Sequence, residues 1–229
     1  MKKLVVLTGA GMSAESGIST FRDTGGLWEK YPVEEVATPE GWARNPILVL
    51  DFYNQRRKQL LEVEPNEGHK GLAELEKHFE VNIITQNVDN LHERAGSSNI
   101  LHLHGELMKV RSTGPGTEVF ELSPSQIEIK LGSLCPKGYQ LRPHIVWFGE
   151  AVPEINKAAK IVGQADILVI IGTSMQVYPA AGLINYAQLH TPVYLIDPNE
   201  VSVDNSVKII QKGASEGVKE LKKILLKDR

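Results

Sequence analysis

The alternation of short β-branched runs with amphipathic helical patterns constrains the fold of this chain more than any other feature. Between several of these runs, apolar residues recur at spacings of three and four, as in Leu72, Leu75 and Phe79. This spacing is typical of helices that bury one apolar stripe. Buried strands alternating with such helices predict an α/β fold with a mostly parallel sheet covered on both faces. The predicted strands occupy residues 4–7, 81–84, 145–148, 167–171, 193–196 and 207–210.

The composition of the chain limits the classes to which it can belong. The chain has 229 residues, of which 41% are hydrophobic and 23% charged, so it can bury a core and lies outside the range of disordered sequences. Its 25 basic and 28 acidic side chains give a net charge of −3, which argues against a nucleic-acid partner held by electrostatics. Cys135 is the single cysteine, so we expect no internal disulfide and a reducing compartment.

The sequence contains no recognisable targeting or membrane segment. The first apolar run ends after about five residues, which is shorter than the hydrophobic stretch of a signal peptide. No apolar run approaches the roughly 20 residues that cross a bilayer. We therefore expect a cytoplasmic protein without a membrane partner. The sequence does not define the oligomeric state, for which a monomer is our expectation.

Two segments interrupt the alternation. Residues 31–65 are helix-rich and contain a helix start with Asn45 as cap and Pro46 in the first turn. Residues 107–142 are rich in glycine and proline and include a short β-like run at 119–122. We predict that these two segments form a small inserted domain. The remaining segments, 1–30, 66–106 and 143–229, then form the sheet domain.

A glycine-rich turn follows the first predicted strand. Gly9, Gly11 and Ala14 fit the Gly-x-Gly-x-x-Gly/Ala turn, whose backbone amides approach a pyrophosphate. No strand with a terminal acid follows about 20 residues later, which weakens the interpretation as an ordinary dehydrogenase. The turn therefore indicates either nucleotide binding or a tight connection between strand and helix.

Polar side chains follow the second predicted strand at Gln86, Asn87 and Asp89. The carboxyl ends of parallel strands are where such proteins contact ligands, and amides and a carboxylate can hold hydroxyls or a carboxamide. Asn87 or Asp89 could equally cap a helix that begins there. The polar, glycine-containing segment 16–23 is predicted to be a second ligand loop.

His102 and His104 lie two positions apart, so strand alternation would point both side chains to one face. A metal pair is one interpretation, but zinc needs at least three protein ligands and the spacing marks no third. A general base is another, because the histidine pKa suits proton transfer at neutral pH. A hydrogen-bonded histidine of the core is the third.

Tyr53 and Arg56 lie three residues apart on the predicted helix, so their side chains are neighbours on one face. A phenol and a guanidinium can converge on one small anion, for which a carboxylate is well suited. The alternative is a solvated basic face that runs through Arg56, Arg57 and Lys58.

Taken together, the motifs closely resemble those of one family, the sirtuins, which are NAD-dependent protein deacylases. Five blocks match in order over nearly the whole chain. Segment 52–60, FYNQRRKQL, resembles the subgroup in which a tyrosine and an arginine select acidic acyl groups on lysine. The five blocks are GAGMSAESGISTFRD at 9–23, TQNVDNLHERAG at 85–96, HLHGEL at 102–107, RPHIVWFGE at 142–150 and GTSMQVYPAAGL at 172–183.

The resemblance implies a sirtuin-like fold, in which a Rossmann-like parallel-sheet domain carries a small inserted domain. It also implies NAD as the cofactor and acylated-lysine proteins or peptides as the partners. The residues it assigns to NAD are Gly9, Ala10, Gly11, Ser13, Ala14, Glu15, Phe21, Arg22, Trp28, Gln86, Asn87, Asp89, Gly172, Thr173, Ser174, Asp197 and Ala214.

The resemblance further implies a reaction in which lysine is released together with nicotinamide and an O-acyl-ADP-ribose. His104 would take a proton from a ribose hydroxyl, and Gln86 and Asn87 would complete the catalytic set. Tyr53 and Arg56 would bind the acyl carboxylate, which predicts desuccinylase and demalonylase activity with weaker deacetylase activity. The substrate backbone and lysine would contact Val146, Phe148 and Gly149.

The sequence departs from the family pattern in two features. Where most members have two Cys-x-x-Cys pairs, this chain has Ser112 and Pro115, then Cys135 and Gly138, so we predict no structural zinc. Asp197 replaces a common asparagine, and its charge should favour NAD over NADP. Apolar side chains are expected to pack in place of the zinc, namely Val119, Phe120, Leu122, Ile127, Ile129 and Leu131.

Two other classes of function remain compatible with these residues. A sirtuin-like ADP-ribosyltransferase would leave ADP-ribose on a protein. A binding module without catalysis would hold NAD or acyl-lysine and release no nicotinamide. The presence of His104 and of an intact segment 86–89 argues against the binding module.

Overall fold

The computed structural model describes residues 1–18, 30–173, 180–201 and 206–227. Its large sheet consists of β1 (Lys3–Thr8), β2 (Glu80–Thr85), β3 (Ile100–His102), β7 (Ile167–Ile171), β8 (Val193–Ile196) and β9 (Val207–Ile210). All pairings in this sheet are parallel, and the order is β3-β2-β1-β7-β8-β9. Such an order is that of a Rossmann-like sheet. The predicted α/β fold class is confirmed.

Helices cover both faces of this sheet, as the apolar periodicity predicts. On one face, α5 (Glu67–Leu75) and α8 (Ala214–Leu226) pack their apolar stripes against β1 and β7. On the other face lie α7 (Ile155–Val162) and a 3₁₀ helix (Ala180–Tyr186). Because β1 is buried on both faces, its sequence is a continuous apolar run rather than an alternating one. Phe79 was expected on α5 but lies beyond its end, buried just before β2.

A second, antiparallel sheet has the order β5-β4-β6. It is formed by β4 (Gly105–Ser112), β5 (Val119–Glu121) and β6 (Leu141–Ile145). Four further helices are α1 (Gly11–Ala14), α2 (Val33–Val36), α3 (Pro39–Arg44) and α4 (Pro46–Glu62), and α6 (Leu91–Arg94) follows β2. The expected start of α4 is confirmed, since the Leu48 amide donates to Asn45 Oδ1 over 3.1 Å. The boundaries of an inserted domain stay a prediction.

The strand predicted over residues 145–148 is wrong, because β6 ends at Ile145. The Trp147 amide donates to the Glu150 carboxylate over 2.8 Å, and the Phe148 amide donates to the Ala37 carbonyl over 3.0 Å. Gly149 then takes a φ of 88°, which turns the chain. These bonds use the amides that a continuing strand would need. The strand lies earlier, across Pro143, which the edge position of β6 tolerates.

The expectation for apolar packing in the segment 107–142 holds only in part. Ile129 is buried, and Phe120 and Leu122 pack against the same cluster. Val119 and Leu131 are instead exposed, at 44% and 58% of their surface. Side chains alternate along β5, so Phe120 faces the cluster while Val119 faces the opposite side. Within the described ranges, no helix is both long and apolar enough to cross a membrane.

Two buried histidines pack edge to face between α5 and α6. The rings of His69 and His92 lie 4.8 Å apart at 64°, and both residues are at most 1% exposed. The Asn66 amide donates to His69 Nδ1 over 3.3 Å, and His92 Nε2 lies 3.2 Å from the Thr8 hydroxyl. Burial lowers the pKa of His69 from 6.5 to about 4 and also lowers that of His92. Both side chains are therefore neutral in the folded protein at neutral pH.

We expect the fold to lose stability as the pH falls from about 6.5 towards 4. In this window the unfolded chain binds a proton at His69 that the folded chain does not bind. The loss at pH 5 is about 2 kcal/mol from His69 alone. Urea unfolding at pH 7.5 and pH 5 measures it. His69→Gln keeps an acceptor for the Asn66 amide and should lose less on acidification, whereas the exposed His190→Gln control should behave as the native protein.

Candidate active site

The carboxyl ends of β1, β2, β7 and β8 lie side by side at one edge of the large sheet, and the loops that follow them border the crevice expected of such a topology. The order of the sheet reverses between β1 and β7, which is the switch point where ligands bind in such folds. The turn after β1 carries Gly9 and Gly11, and the turn after β7 carries Gly172 and Thr173. The sequence motifs therefore converge on the place where the topology favours a ligand.

The glycines of the two turns are required by close contact between the turns. The Gly11 amide donates to the Gly172 carbonyl over 2.9 Å, and Gly172 has a φ of 59°. A Cβ at Gly9 would lie 2.7 Å from Thr173 Cβ, and one at Gly11 would lie 2.7 Å from Gly172 Cα. Protein contacts alone thus explain the tight turn. The same contacts build the crevice at the switch point, so the turn also fits nucleotide binding.

Ser13 joins the loop after β2 to the loop after β1. Its hydroxyl donates to Asp89 Oδ2 over 3.0 Å and accepts from Asn87 Nδ2 over 3.1 Å. Asn87 Nδ2 also donates to the Gly9 carbonyl over 3.0 Å. Burial raises the pKa of the Asp89 carboxyl, against the lowering effects of its hydrogen bonds and of the Arg56 charge. Asn87 and Asp89 are therefore held in fixed positions in the crevice.

The alternative assignment of Asn87 or Asp89 as helix caps is only partly met. The Leu91 amide at the start of α6 donates to Asp89 Oδ1 over 3.1 Å, so one carboxylate oxygen does help the helix begin. The N-cap position itself is Asn90. The neighbouring Gln86 joins the loop after β2 to β1 and to the turn after β7. Its backbone amide donates to the Thr8 carbonyl over 2.9 Å, and its side-chain Nε2 donates to the Thr173 hydroxyl over 3.1 Å.

The two histidines bind neighbouring carbonyls of the loop after β2. His104 Nδ1 lies 3.1 Å from the Gln86 carbonyl, and His102 Nδ1 lies 3.0 Å from the Asn87 carbonyl. A carbonyl only accepts, so each Nδ1 carries the proton. His104 Nε2 is then left without a proton in the neutral ring, as a general base requires. Burial lowers the pKa of His104, which favours this neutral form.

His102 differs from His104 in having a carboxylate partner. Its Nε2 donates to Glu93 Oε1 over 2.8 Å. Burial lowers the pKa of His102, but the bond to Glu93 and the charge of Glu93 outweigh this and raise it overall. The two rings thus have separate partners, and only His102 has a carboxylate among them. In the ranges that the structure describes, no three histidine, cysteine or acidic side chains could hold a metal ion.

Tyr53 and Arg56 lie together on α4. The Arg56 guanidinium carbon is 5.9 Å from the centroid of the Tyr53 ring and 5.8 Å from that of Phe52. The Tyr53 hydroxyl accepts a hydrogen bond from Trp147 Nε1 over 3.0 Å. Burial raises the pKa of Tyr53, so its phenol stays protonated. A protonated phenol beside a guanidinium is an arrangement that suits a carboxylate.

The alternative of a solvated basic face on α4 is wrong for Arg57. That side chain is fully buried and donates to the Leu107 carbonyl over 3.1 Å and to Asn54 Oδ1 over 3.0 Å. Arg56 is partly buried, and only Lys58 is exposed. The three basic side chains therefore differ in environment: Arg57 is buried, Arg56 is partly buried and Lys58 is exposed.

Residues 146–149 run beside His104. The Val146 amide donates to the His104 carbonyl over 2.9 Å. Phe148 is 47% exposed, and Gly149 is exposed as well. An exposed segment next to His104 is in a suitable place to pair with an extended peptide.

Several of the other predicted NAD residues lie after β1, at the end of β8 or at the start of α8. Glu15 accepts from the Ser215 amide over 3.2 Å at the start of α8, where Ala214 is the buried first residue. Asp197, at the end of β8, accepts from the amide and side chain of Asn199 over 2.9 and 3.0 Å. Ala10 and Ala14 flank the first turn and are partly or fully exposed. The predicted residues Phe21, Arg22, Trp28 and Ser174 lie outside the described residues.

Sequence reasoning missed the residues that support this site. Glu150 accepts from both Arg111 and Arg142, over 3.0 and 2.9 Å, and thereby fixes the turn after β6. Glu93 was not singled out either, although it binds His102. The one available signal was the pair of opposite charges at positions 142 and 150 that brackets an apolar run.

Comparison with known proteins agrees with this geometry. The sequence profile of the Sir2 family matches residues 9–179. A relative from Bacteroides thetaiotaomicron, named NAD-dependent protein deacylase, is 64% identical over 231 residues and covers 99% of each chain. A relative of the same name from Helicobacter pylori is 56% identical over 223 residues, which cover 96% of each chain.

Solved structures give the same result. The crystal structure of a Sir2 homologue in complex with NAD has a TM-score of 0.89 and 41% identity, and the match covers 99% of this chain and 90% of that one. A Sir2 variant with a deacetylated p53 peptide and 3′-O-acetyl ADP-ribose has a TM-score of 0.80 and 27% identity, with 96% and 92% covered.

Proposed function

Because this chain belongs to the Sir2 family of NAD-dependent protein deacylases, we propose that it removes succinyl and malonyl groups from lysine, and acetyl groups more weakly. The products would be free lysine, nicotinamide and an O-acyl-ADP-ribose. The observation that carries the acyl preference is the placement of Arg56 over the ring of Tyr53, whose hydroxyl is buried. The substrates would be acylated-lysine proteins or peptides.

The donors and acceptors of the crevice fit NAD. Amides of Gln86 and Asn87 suit a carboxamide, and the carboxylates of Asp89 and Asp197 suit ribose hydroxyls. We propose that these residues hold NAD together with the turn at Gly9 to Glu15, the turn at Gly172 and Thr173, and Ala214. The charge of Asp197 should disfavour a 2′-phosphate, so NAD is expected to bind in preference to NADP. When bound, NAD supplies a glycosidic bond that breaks with release of nicotinamide.

His104 is proposed as the general base. Its Nδ1 proton is committed to the Gln86 carbonyl, so Nε2 is the atom that accepts a proton from a ribose hydroxyl. The lowered pKa keeps Nε2 free of a proton at neutral pH. Gln86 and Asn87 are proposed to orient the reacting end of NAD, because both side chains are fixed by partners in the turns after β7 and β1.

Two further groups of residues are proposed to bind the substrate. Arg56 offers a planar pair of donors to the acyl carboxylate, and Tyr53 offers its hydroxyl hydrogen. Val146, Phe148 and Gly149 are proposed to contact the peptide on either side of the lysine. The exposed Phe148 would form an apolar wall for the lysine stem.

The residues that replace the zinc cysteines of the family do not fit a zinc ion. Ser112 Oγ lies 3.5 Å from Cys135 Sγ, so these two positions do meet, but they provide one thiol. Pro115 and Gly138 have no side-chain donor at all. We therefore propose that the segment 107–142 folds without structural zinc, with Ile129, Phe120 and Leu122 packed beside it. Elemental analysis of the untagged protein should find far less than one zinc per chain.

A mass-spectrometric assay of one peptide carrying succinyl, malonyl, glutaryl or acetyl lysine tests the proposed function. With NAD, the succinyl and malonyl peptides should lose their acyl groups faster than the acetyl peptide, with equimolar nicotinamide. ADP-ribose left on protein would instead indicate a transferase. Binding of NAD and peptide without nicotinamide release would indicate a binding module. No NAD-dependent change in any peptide would contradict the proposal.

A further inference from the structure

We propose that Trp147 is a specificity-determining residue for acidic acyl groups, through the hydrogen bond that its indole donates to Tyr53. The inference rests on the proposed function, because the role of Tyr53 and Arg56 in acyl selection is itself proposed. Trp147 lies in the turn after β6, and Tyr53 lies on α4. The bond joins Trp147 Nε1 to the Tyr53 hydroxyl over 3.0 Å.

The direction of this bond determines what Tyr53 can do. The indole nitrogen is a donor only, so the Tyr53 oxygen must accept and its own hydrogen must point elsewhere. Among the residues that the structure describes, the Tyr53 hydroxyl has no hydrogen-bond partner other than Trp147. Tyr53 is 1% exposed, so bulk water is not its partner. Buried hydroxyl hydrogens are nearly always bonded, which indicates that a ligand supplies the missing acceptor.

The charges around Tyr53 indicate which acceptor fits. Burial raises the pKa of Tyr53, and the positive charges of Arg56, Arg142 and Arg57 act against that effect. These cations favour a negatively charged acceptor at the same place. A carboxylate at the end of an acyl chain meets both requirements, whereas the methyl end of an acetyl or butyryl group meets neither.

The indole itself is held rigidly. The Arg142 guanidinium carbon lies 3.4 Å from the centroid of the Trp147 ring, and Arg142 also binds Glu150. Glu150 in turn accepts from the Trp147 amide, and the ring of Trp42 packs 5.8 Å away. Trp147 therefore has a fixed position from which it orients Tyr53. It lies within residues 146–149, the segment that is proposed to bind the peptide.

The test compares NAD-dependent deacylation of succinyl-lysine and butyryl-lysine peptides, whose acyl chains are of similar length but differ in the carboxylate. In Trp147→Phe, the ratio of kcat/KM for succinyl over butyryl should fall by about three- to tenfold, mainly through a higher KM for the succinyl peptide. Trp42→Phe disturbs the same aromatic cluster without removing a bond to Tyr53, and its ratio should change by less than about twofold. Trp147→Leu, which also lacks a donor, serves if the phenylalanine variant does not fold.

A double-mutant cycle isolates the contribution of the hydrogen bond between Trp147 and Tyr53 to the acyl preference. Tyr53→Phe should lower the same ratio, and adding Trp147→Phe to it should lower the ratio no further. An unchanged ratio in Trp147→Phe, in a protein whose succinyl preference depends on Arg56, overturns the inference and leaves the proposed function intact. A native protein without any succinyl preference removes the proposed acyl class and the inference with it.

Discussion

Replacing His104 with tyrosine is expected to abolish deacylation while leaving the fold intact. His104 lies at the crevice, partly exposed, and in the described part of the chain its side chain has one hydrogen bond, to the Gln86 carbonyl. A phenol at this position has no unprotonated nitrogen to accept a proton at neutral pH. Loss of a general base typically lowers a rate by about 10²- to 10⁴-fold. Nicotinamide release and O-acyl-ADP-ribose formation, followed by chromatography, measure the effect.

Two controls separate loss of chemistry from loss of structure. The exposed His190→Gln variant should retain native turnover, and both variants should keep the native circular dichroism spectrum and melting temperature. Calorimetry should still detect NAD binding to His104→Tyr, because the proposed NAD contacts at Asn87 and Asp89 are held by Ser13. Turnover within about tenfold of the native rate would show that His104 is not the general base.

The fold was largely predictable because a strand that is buried on both faces has a continuous apolar sequence. Strands β7, β8 and β9 begin and end where the apolar runs at 167–171, 193–196 and 207–210 do. Each is flanked by polar or turn residues, so few other boundaries were possible. The helices were predictable for the same reason, since α5 and α8 each pack one apolar stripe on the sheet.

The segment after β6 was not predictable in this way. Its apolar run at 145–148 has the composition of a strand, but distant partners decide its conformation. The Glu150 carboxylate binds the Trp147 amide, and two arginines hold that carboxylate in place. A local pattern carries no information on such long-range bonds. The full burial of Arg57 escaped prediction for the same reason, because its partners are a carbonyl of β4 and Asn54.

The sequence motifs predicted which residues lie near one another at the candidate site, but not the hydrogen bonds that join them. The motifs indicated Gln86, Asn87, Asp89 and His104 as residues of one site. They did not indicate that His102 and His104 bind successive carbonyls of one loop, or that Ser13 links that loop to the first turn. These hydrogen bonds depend on how neighbouring loops are oriented relative to one another. No short sequence pattern encodes that orientation.

Replacing Arg56 with methionine should lower the turnover of a succinyl peptide far more than that of an acetyl peptide. Methionine keeps much of the apolar stem that packs on Phe52 and Tyr53 but removes the guanidinium. A charge-assisted bond to a carboxylate is worth about 1.5–3 kcal/mol, so kcat/KM for the succinyl peptide should fall about ten- to a hundredfold. The acetyl group has no carboxylate, so it loses no such bond.

Two variants control this measurement. Lys58→Met removes the same charge from an exposed position on α4 and should leave the ratio of succinyl to acetyl turnover unchanged within about twofold, since a distant exposed charge is screened. Arg56→Lys keeps the charge without the planar pair of donors and should give an intermediate loss. Equal losses on both peptides in Arg56→Met would instead mean that Arg56 supports the cleft as a whole. Such a result would implicate Asp89, because burial raises the pKa of that carboxyl and the Arg56 charge acts against the rise.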